Sequence, residues 1–199
     1  MFEMYETRDK IRSGGKDRMS RLIEISNPIE LKRLTYFMRI RGVPVNIHWT
    51  VFAVIAFILL SVIRQPVLSL IGLTAYLSVL LIHECGHMIA ARRLGCTVFE
   101  INLYPIFAIT RFETPWSRFD HCIIAWGGVL AQAAVALPII AFIAVFGYTR
   151  FNPINEIFAI LGFFSLGMAV FNLLPLKPLD GSIAWGLIPE FIRRTRARP

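Results

Sequence analysis

Cysteine is scarce in this chain, and acids are few beside the bases. Cys85, Cys96 and Cys122 make an odd set without C-x-x-C spacing. That argues against a disulfide framework and against a cysteine-built zinc site. Asp and Glu number 13 against 21 Lys and Arg, a net charge of +8. No stretch interleaves aromatic and basic residues as RNA-binding surfaces do, so nucleic acid is not an expected partner. The basic surplus reads instead as a topology signal and as contact with anionic lipid. A cleavable signal peptide is not expected either, because the polar segment ahead of the first apolar run is too long.

What the chain has in quantity is apolar sequence. Its hydrophobic content is 56%, against about 45–50% in soluble domains. Apolar runs cover about residues 48–63, 67–91, 122–146 and 154–174, and a membrane span needs roughly 20 residues. The expectation is an all-α integral membrane protein with about four transmembrane helices. Residues 42–47 read as a short extended segment, since Pro44 and the β-branched Val43, Val45 and Ile47 disfavour helix. Cys96–Leu103 and Ile106–Phe112 favour strand, with Tyr104-Pro105 between them. They predict a short β-hairpin or re-entrant loop on the cytoplasmic side.

Three segments follow from this pattern. Residues 1–41 form a basic cytoplasmic segment, partly disordered. Within it Leu22, Ile25, Ile29, Leu31, Leu34, Phe37 and Met38 recur at loose helical spacing and suggest an amphipathic helix on the membrane surface. Residues 42–192 form the membrane core, and residues 193–199 a basic tail. With four spans, only Arg64 and Arg150 lie on one side, and every other Lys and Arg lies on the other. The positive-inside rule then puts both termini and the 92–121 loop in the cytoplasm.

The second run contains His83-Glu84-Cys85-Gly86-His87, the pattern H-E-x-x-H. Histidines four residues apart on a helix share one face and can share one metal. The intervening Glu suits a general base beside zinc. Cys85 lies about 200° round the helix from His83 and should face away. Ionisable groups are costly in a bilayer, and their presence there marks a functional site. A catalytic zinc needs a third protein ligand and an open position. Asp180 is the best candidate, because the fourth span runs back to the cytoplasmic face and delivers it to the depth of the histidines. Gly181 after it reads as a flexible joint.

At these residues the chain resembles the site-2 protease family of intramembrane zinc metalloproteases. Its two motifs read His83-Glu84-Cys85-Gly86-His87 and Asn172-Leu173-Leu174-Pro175-Leu176-Lys177-Pro178-Leu179-Asp180-Gly181. The resemblance covers roughly residues 42–190. It implies one Zn2+ held by His83, His87 and Asp180, with Glu84 as catalytic acid/base. It also implies cleavage of transmembrane segments of membrane-protein substrates, in a bacterial or archaeal cell membrane. Asn172 is then a candidate for the substrate backbone or the oxyanion. Gln132 is a second, standing where the family often has asparagine, and Val129 stands where it often has proline. His48 is a second-sphere candidate, while His121 reads as interfacial. No PDZ or CBS module is expected in this length, and homo-oligomerisation is left open. The competing readings are a non-proteolytic membrane metalloprotein for metal transport or sensing, and an inactive protease-like scaffold.

Overall fold

The computed structural model describes residues 34–61, 66–105 and 107–196; of residues 57–61 and 66 only the backbone is described. Strands β1 (Leu34–Ile40) and β2 (Val43–His48) are joined by Arg41-Gly42. Both linker residues have positive φ, 49° and 85°. Left-handed backbone at two successive positions is what a tight hairpin turn requires, because it matches the twist of the flanking strands. Helix α1 (Trp49–Ser61) follows, then α2 (Pro66–Arg93). The Arg92 side chain, at the end of α2, donates to the Arg41 carbonyl (2.9 Å) and ties helix to turn.

Strands β3 (Val98–Leu103) and β4 (Ala108–Phe112) complete a four-stranded sheet of order β1-β2-β3-β4. β2 and β3 are parallel, with Val45 opposite Ile101 and Ile47 opposite Leu103. β3 and β4 are antiparallel, with a bulge between Val98 and Glu100. One face of the sheet is apolar. Val43, Val45, Ile47, Ile101 and Leu103 are buried in one cluster with Met88 and Ala91 of α2. The other face carries a polar network. There Asn46 and Arg111 donate to Glu100, and Asn46 and Asn102 bond each other.

Helix α3 (Arg118–Phe146) starts one turn earlier than its apolar run. Ser117 caps it, accepting from the Asp120 amide and donating to the Asp120 carboxylate, so the first turn has its orphan amide satisfied. Helix α4 (Asn152–Asn172) follows, wound as a π-helix over Ala159–Phe164. Two short helices close the chain, α5 (Gly181–Ala184) and α6 (Leu187–Arg196).

Three helices among the described residues are long and apolar enough to cross a membrane: Val67–Arg93, Arg118–Phe146 and Asn152–Asn172. Large apolar side chains such as Leu137, Phe142, Phe163 and Phe171 stand exposed on α3 and α4, as lipid-facing surfaces do. α1 is described over 13 residues, fewer than the roughly 17 a span requires.

Two expectations need correction. The chain is mostly helical rather than all-α, and the expected hairpin is half of a larger mixed sheet. The other half is β1 and β2, joined to β3 by a parallel pairing set by contact between distant segments, which leaves no local signal. Leu34, Phe37 and Met38 stand on strand β1, where the loose periodicity predicts an amphipathic helix. The hairpin turn at Arg41-Gly42 folds that segment back on β2 and overrides its helical spacing. The remainder of that expected helix lies outside the described residues.

Candidate metal centre

α2 and α3 cross at glycine. A Cβ on Gly86 would stand 2.2 Å from the Gly127 carbonyl oxygen, and one on Gly127 would stand 2.7 Å from that of Gly86. No side chain fits at either position, so the two backbones touch. Gly128, next along α3, lies under the histidines. A Cβ there would stand 2.6 Å from His87 Nε2 and 2.7 Å from His83 Cε1. The glycines therefore let α3 come close enough to hold both imidazoles from behind.

That hold is specific. His83 Nδ1 donates to Gln132 Oε1 (3.0 Å), and His87 Nδ1 donates to the Ile124 carbonyl (2.8 Å). Each bond fixes a ring's orientation and leaves the Nε2 lone pair pointing forward, the usual arrangement behind a metal-ligating histidine. The two Nε2 atoms are 3.0 Å apart. Asp180 Oδ2 completes the cluster, 2.9 Å from His83 Nε2 and 3.2 Å from His87 Nε2.

Three lone-pair atoms so close repel one another unless a cation stands among them. Tetrahedral zinc with bonds of about 2.0–2.1 Å places its donors about 3.3 Å apart, and the observed separations are near that. The donor set thus fits zinc on its own geometry. A carboxylate oxygen of Glu84 also lies within 4.8 Å of the histidine nitrogens. Asp180 is the nearer acid, which leaves Glu84 for a different role. Glu84 is 2% exposed, and its Oε2 accepts a 2.6 Å bond from the Thr110 hydroxyl on β4.

The Asp180 side of the cluster is built differently. α4 ends at Asn172, and the chain turns through Pro175 and a cis Lys177-Pro178 bond before reaching Asp180. Gly181 next to it serves close approach, not flexibility: a Cβ there would stand 2.2 Å from the Leu173 carbonyl oxygen. Two indoles fasten the segment. Trp185 Nε1 donates to the Leu173 carbonyl (2.6 Å), and Trp126 Nε1 of α3 donates to the Ala184 carbonyl (3.0 Å). The indole rings meet edge to face, 5.7 Å apart.

The cluster opens on a cavity of about 360 Å³. Phe107 and Thr110 line it from the sheet side, His121 from α3, and Met168 and Asn172 from α4. The structure brings His83, Glu84, His87, Asp180 and Asn172 around this one cavity. Gln132 also lines the cavity, but it is 1% exposed and its Oε1 is spent on His83. His48 is not among the described residues that line the cavity. It shares a hydrogen bond with Thr50 Oγ1 (2.7 Å), and its ring lies tilted against that of Tyr104, 5.1 Å away, where β2 ends and turns directly into α1. Conversely, His121 was read as interfacial and lies in the cavity wall. Thr110, Trp126 and Trp185 were missed. Nothing in their local sequence marks them, since each acts on a group distant in the chain.

No family profile matches the chain. Among curated proteins it is similar to zinc metalloprotease MJ0392 of Methanocaldococcus jannaschii, with 26% identity over 152 residues. It is also similar to a Synechocystis sp. protein (29% over 167 residues) and to Rip3 of Mycobacterium tuberculosis (28% over 161), whose names carry a provisional zinc metalloprotease assignment. Each match covers 72% of this chain but only 40–42% of the relative. The chain thus spans about two-fifths of the length of these relatives. Among solved structures it matches Site-2 Protease from Methanocaldococcus jannaschii with a TM-score of 0.64 and 20% identity, over 78% of this chain and 71% of that one. At that identity the match establishes a shared fold.

Proposed function

We infer that the chain belongs to the site-2 protease family and works as a zinc-dependent endopeptidase in the membrane. The observation that carries this is the convergence of His83, His87 and Asp180 within 3.2 Å, beside a buried Glu84, among helices fit to cross a bilayer. The likeness in fold and in sequence to the proteins named above supports the same reading.

In this proposal His83, His87 and Asp180 hold the metal. Zinc held there supplies Lewis acidity and makes water a nucleophile at neutral pH. Glu84 takes the proton from the attacking water and later gives it to the leaving amine. Its burial shields that carboxylate from competing solvent. Gln132 and the Ile124 carbonyl hold the histidines in the tautomer that presents Nε2. Asn172 and Gln132 line the cavity, and their side-chain NH2 groups would be the donors to a developing oxyanion. The substrate is a transmembrane segment of another membrane protein. The largely apolar cavity wall, with Phe107, Ile109 and Met168, suits such a segment.

The proposal includes α1 as a fourth span and both termini in the cytoplasm. The distribution of Lys and Arg supports that orientation, and the same basic segments suit anionic lipid. The decisive experiment is Glu84→Gln in purified, zinc-loaded protein presented with a transmembrane peptide. The variant is expected to keep its zinc and to lose cleavage by about 100-fold or more. Cleavage at the wild-type rate would refute the assignment.

A further inference from the structure

Glu84 follows His83 directly in the chain, so its side chain leaves α2 about 100° away from that histidine. A glutamate has three rotatable bonds, and nothing in α2 itself says where the carboxylate should settle. The group is also buried, and a buried carboxylate needs hydrogen-bond donors to remain ionised without penalty. Among the described residues its carboxylate accepts one hydrogen bond, the 2.6 Å bond from Thr110 Oγ1. The same hydroxyl is 3.3 Å from the Glu84 carbonyl oxygen. A hydroxyl carries a single proton, and the shorter contact takes it.

Thr110 is held independently of Glu84. It lies mid-strand on β4, paired opposite Ile101 of β3, which is fully buried in the apolar cluster. Thr110 is itself buried and lines the cavity. The sheet thus presents one fixed proton donor to an otherwise mobile acid.

We propose that Thr110 is a positioning residue for Glu84: its hydroxyl clamps Oε2 and leaves the other carboxylate oxygen free for proton transfer. This rests on the reading of Glu84 as acid/base. Valine has nearly the shape of threonine but no hydroxyl, so Thr110→Val removes the clamp and strands a buried acceptor. Serine keeps the hydroxyl, so Thr110→Ser preserves it.

The test uses the full chain reconstituted in vesicles with a fluorescence-quenched transmembrane peptide of alanine and leucine. Wild type, Thr110→Val, Thr110→Ser and Glu84→Gln are compared for kcat, KM and zinc per chain. Thr110→Val is expected to lower kcat about 10- to 100-fold, the scale of one stranded buried partner. KM should stay within about twofold and zinc per chain should not change. Thr110→Ser should keep kcat within about threefold of wild type. The proposal is overturned if Thr110→Val leaves kcat within that margin, if serine fails as badly as valine, or if activity falls only as zinc falls. Wild type and Glu84→Gln cleaving alike would instead defeat the acid/base reading, and this proposal with it.

Discussion

The two halves of the metal cluster are made by opposite means. The histidine half sits in the middle of the fold, on a 28-residue helix whose backbone touches that of α3 at Gly86 and Gly127. Its side chains are buried and are steered from behind by Gln132 and Ile124. The aspartate half sits on a turn at the end of α4, with the Asp180 side chain 24% exposed. It is held by two indole bonds to main-chain carbonyls. One half is positioned by helix packing that the whole fold depends on. The other is a turn fastened against α3, and its displacement is expected to leave the α2–α3 packing in place. Damage to the first should therefore unfold the protein, and damage to the second should only release metal.

The sharpest test sets Gly86→Ala against Gly167→Ala. The first forces α2 from α3 and should cost about 3 kcal/mol or more, since overpacking a close contact seldom relaxes. Gly167 has open space around its Cβ position, and alanine there should be neutral or slightly stabilising. Thermal unfolding in detergent, with zinc content alongside, measures both. Equal behaviour of the two variants would show that the histidine half does not depend on the Gly86–Gly127 contact.

Asp180→Ala should come next. Zinc affinity should fall at least about 100-fold, beyond what loss of a supporting residue costs, while apo-protein stability changes little. A competitive chelator titration gives the affinity and a melt of the apo form gives the stability. If the apo form unfolds as Gly86→Ala does, the turn is part of the core after all. The smallest effect belongs to Trp185→Phe, which keeps the ring but removes the Nε1 donor. Zinc affinity should drop about tenfold, within the range for groups that orient a ligand. No drop would mean that Gly181 and the proline turn hold Asp180 without help.

Those differences also explain what was readable in advance. The histidines and Glu84 lie within five consecutive residues, so helix geometry alone brings them together. Asp180 was reachable because the topology returns α4 to the same end of the molecule. The supporting groups were not reachable in this way. Thr110 and Trp126 act across contacts between segments far apart in sequence, and a lone threonine or tryptophan carries no signature of such a contact. Gln132 was noticed, but its bond to His83 depends on the α2–α3 crossing and so on glycines whose partners the sequence does not identify. The parallel pairing of β2 with β3 was hidden for the same reason. Gly181 was assigned mobility because glycine usually confers it, whereas its backbone is ordinary and its missing Cβ makes room for the Leu173 carbonyl.

The indole bonds around Asp180 carry a consequence for drift among related sequences. Both acceptors are main-chain carbonyls, of Leu173 and Ala184, which every residue type possesses. Substitution at 173 should be nearly silent so long as the turn keeps its path. Loss of either indole removes a donor that no change at position 173 or 184 can restore. Variation should therefore collect at position 173 and be purged from Trp126 and Trp185, the two residues that donate.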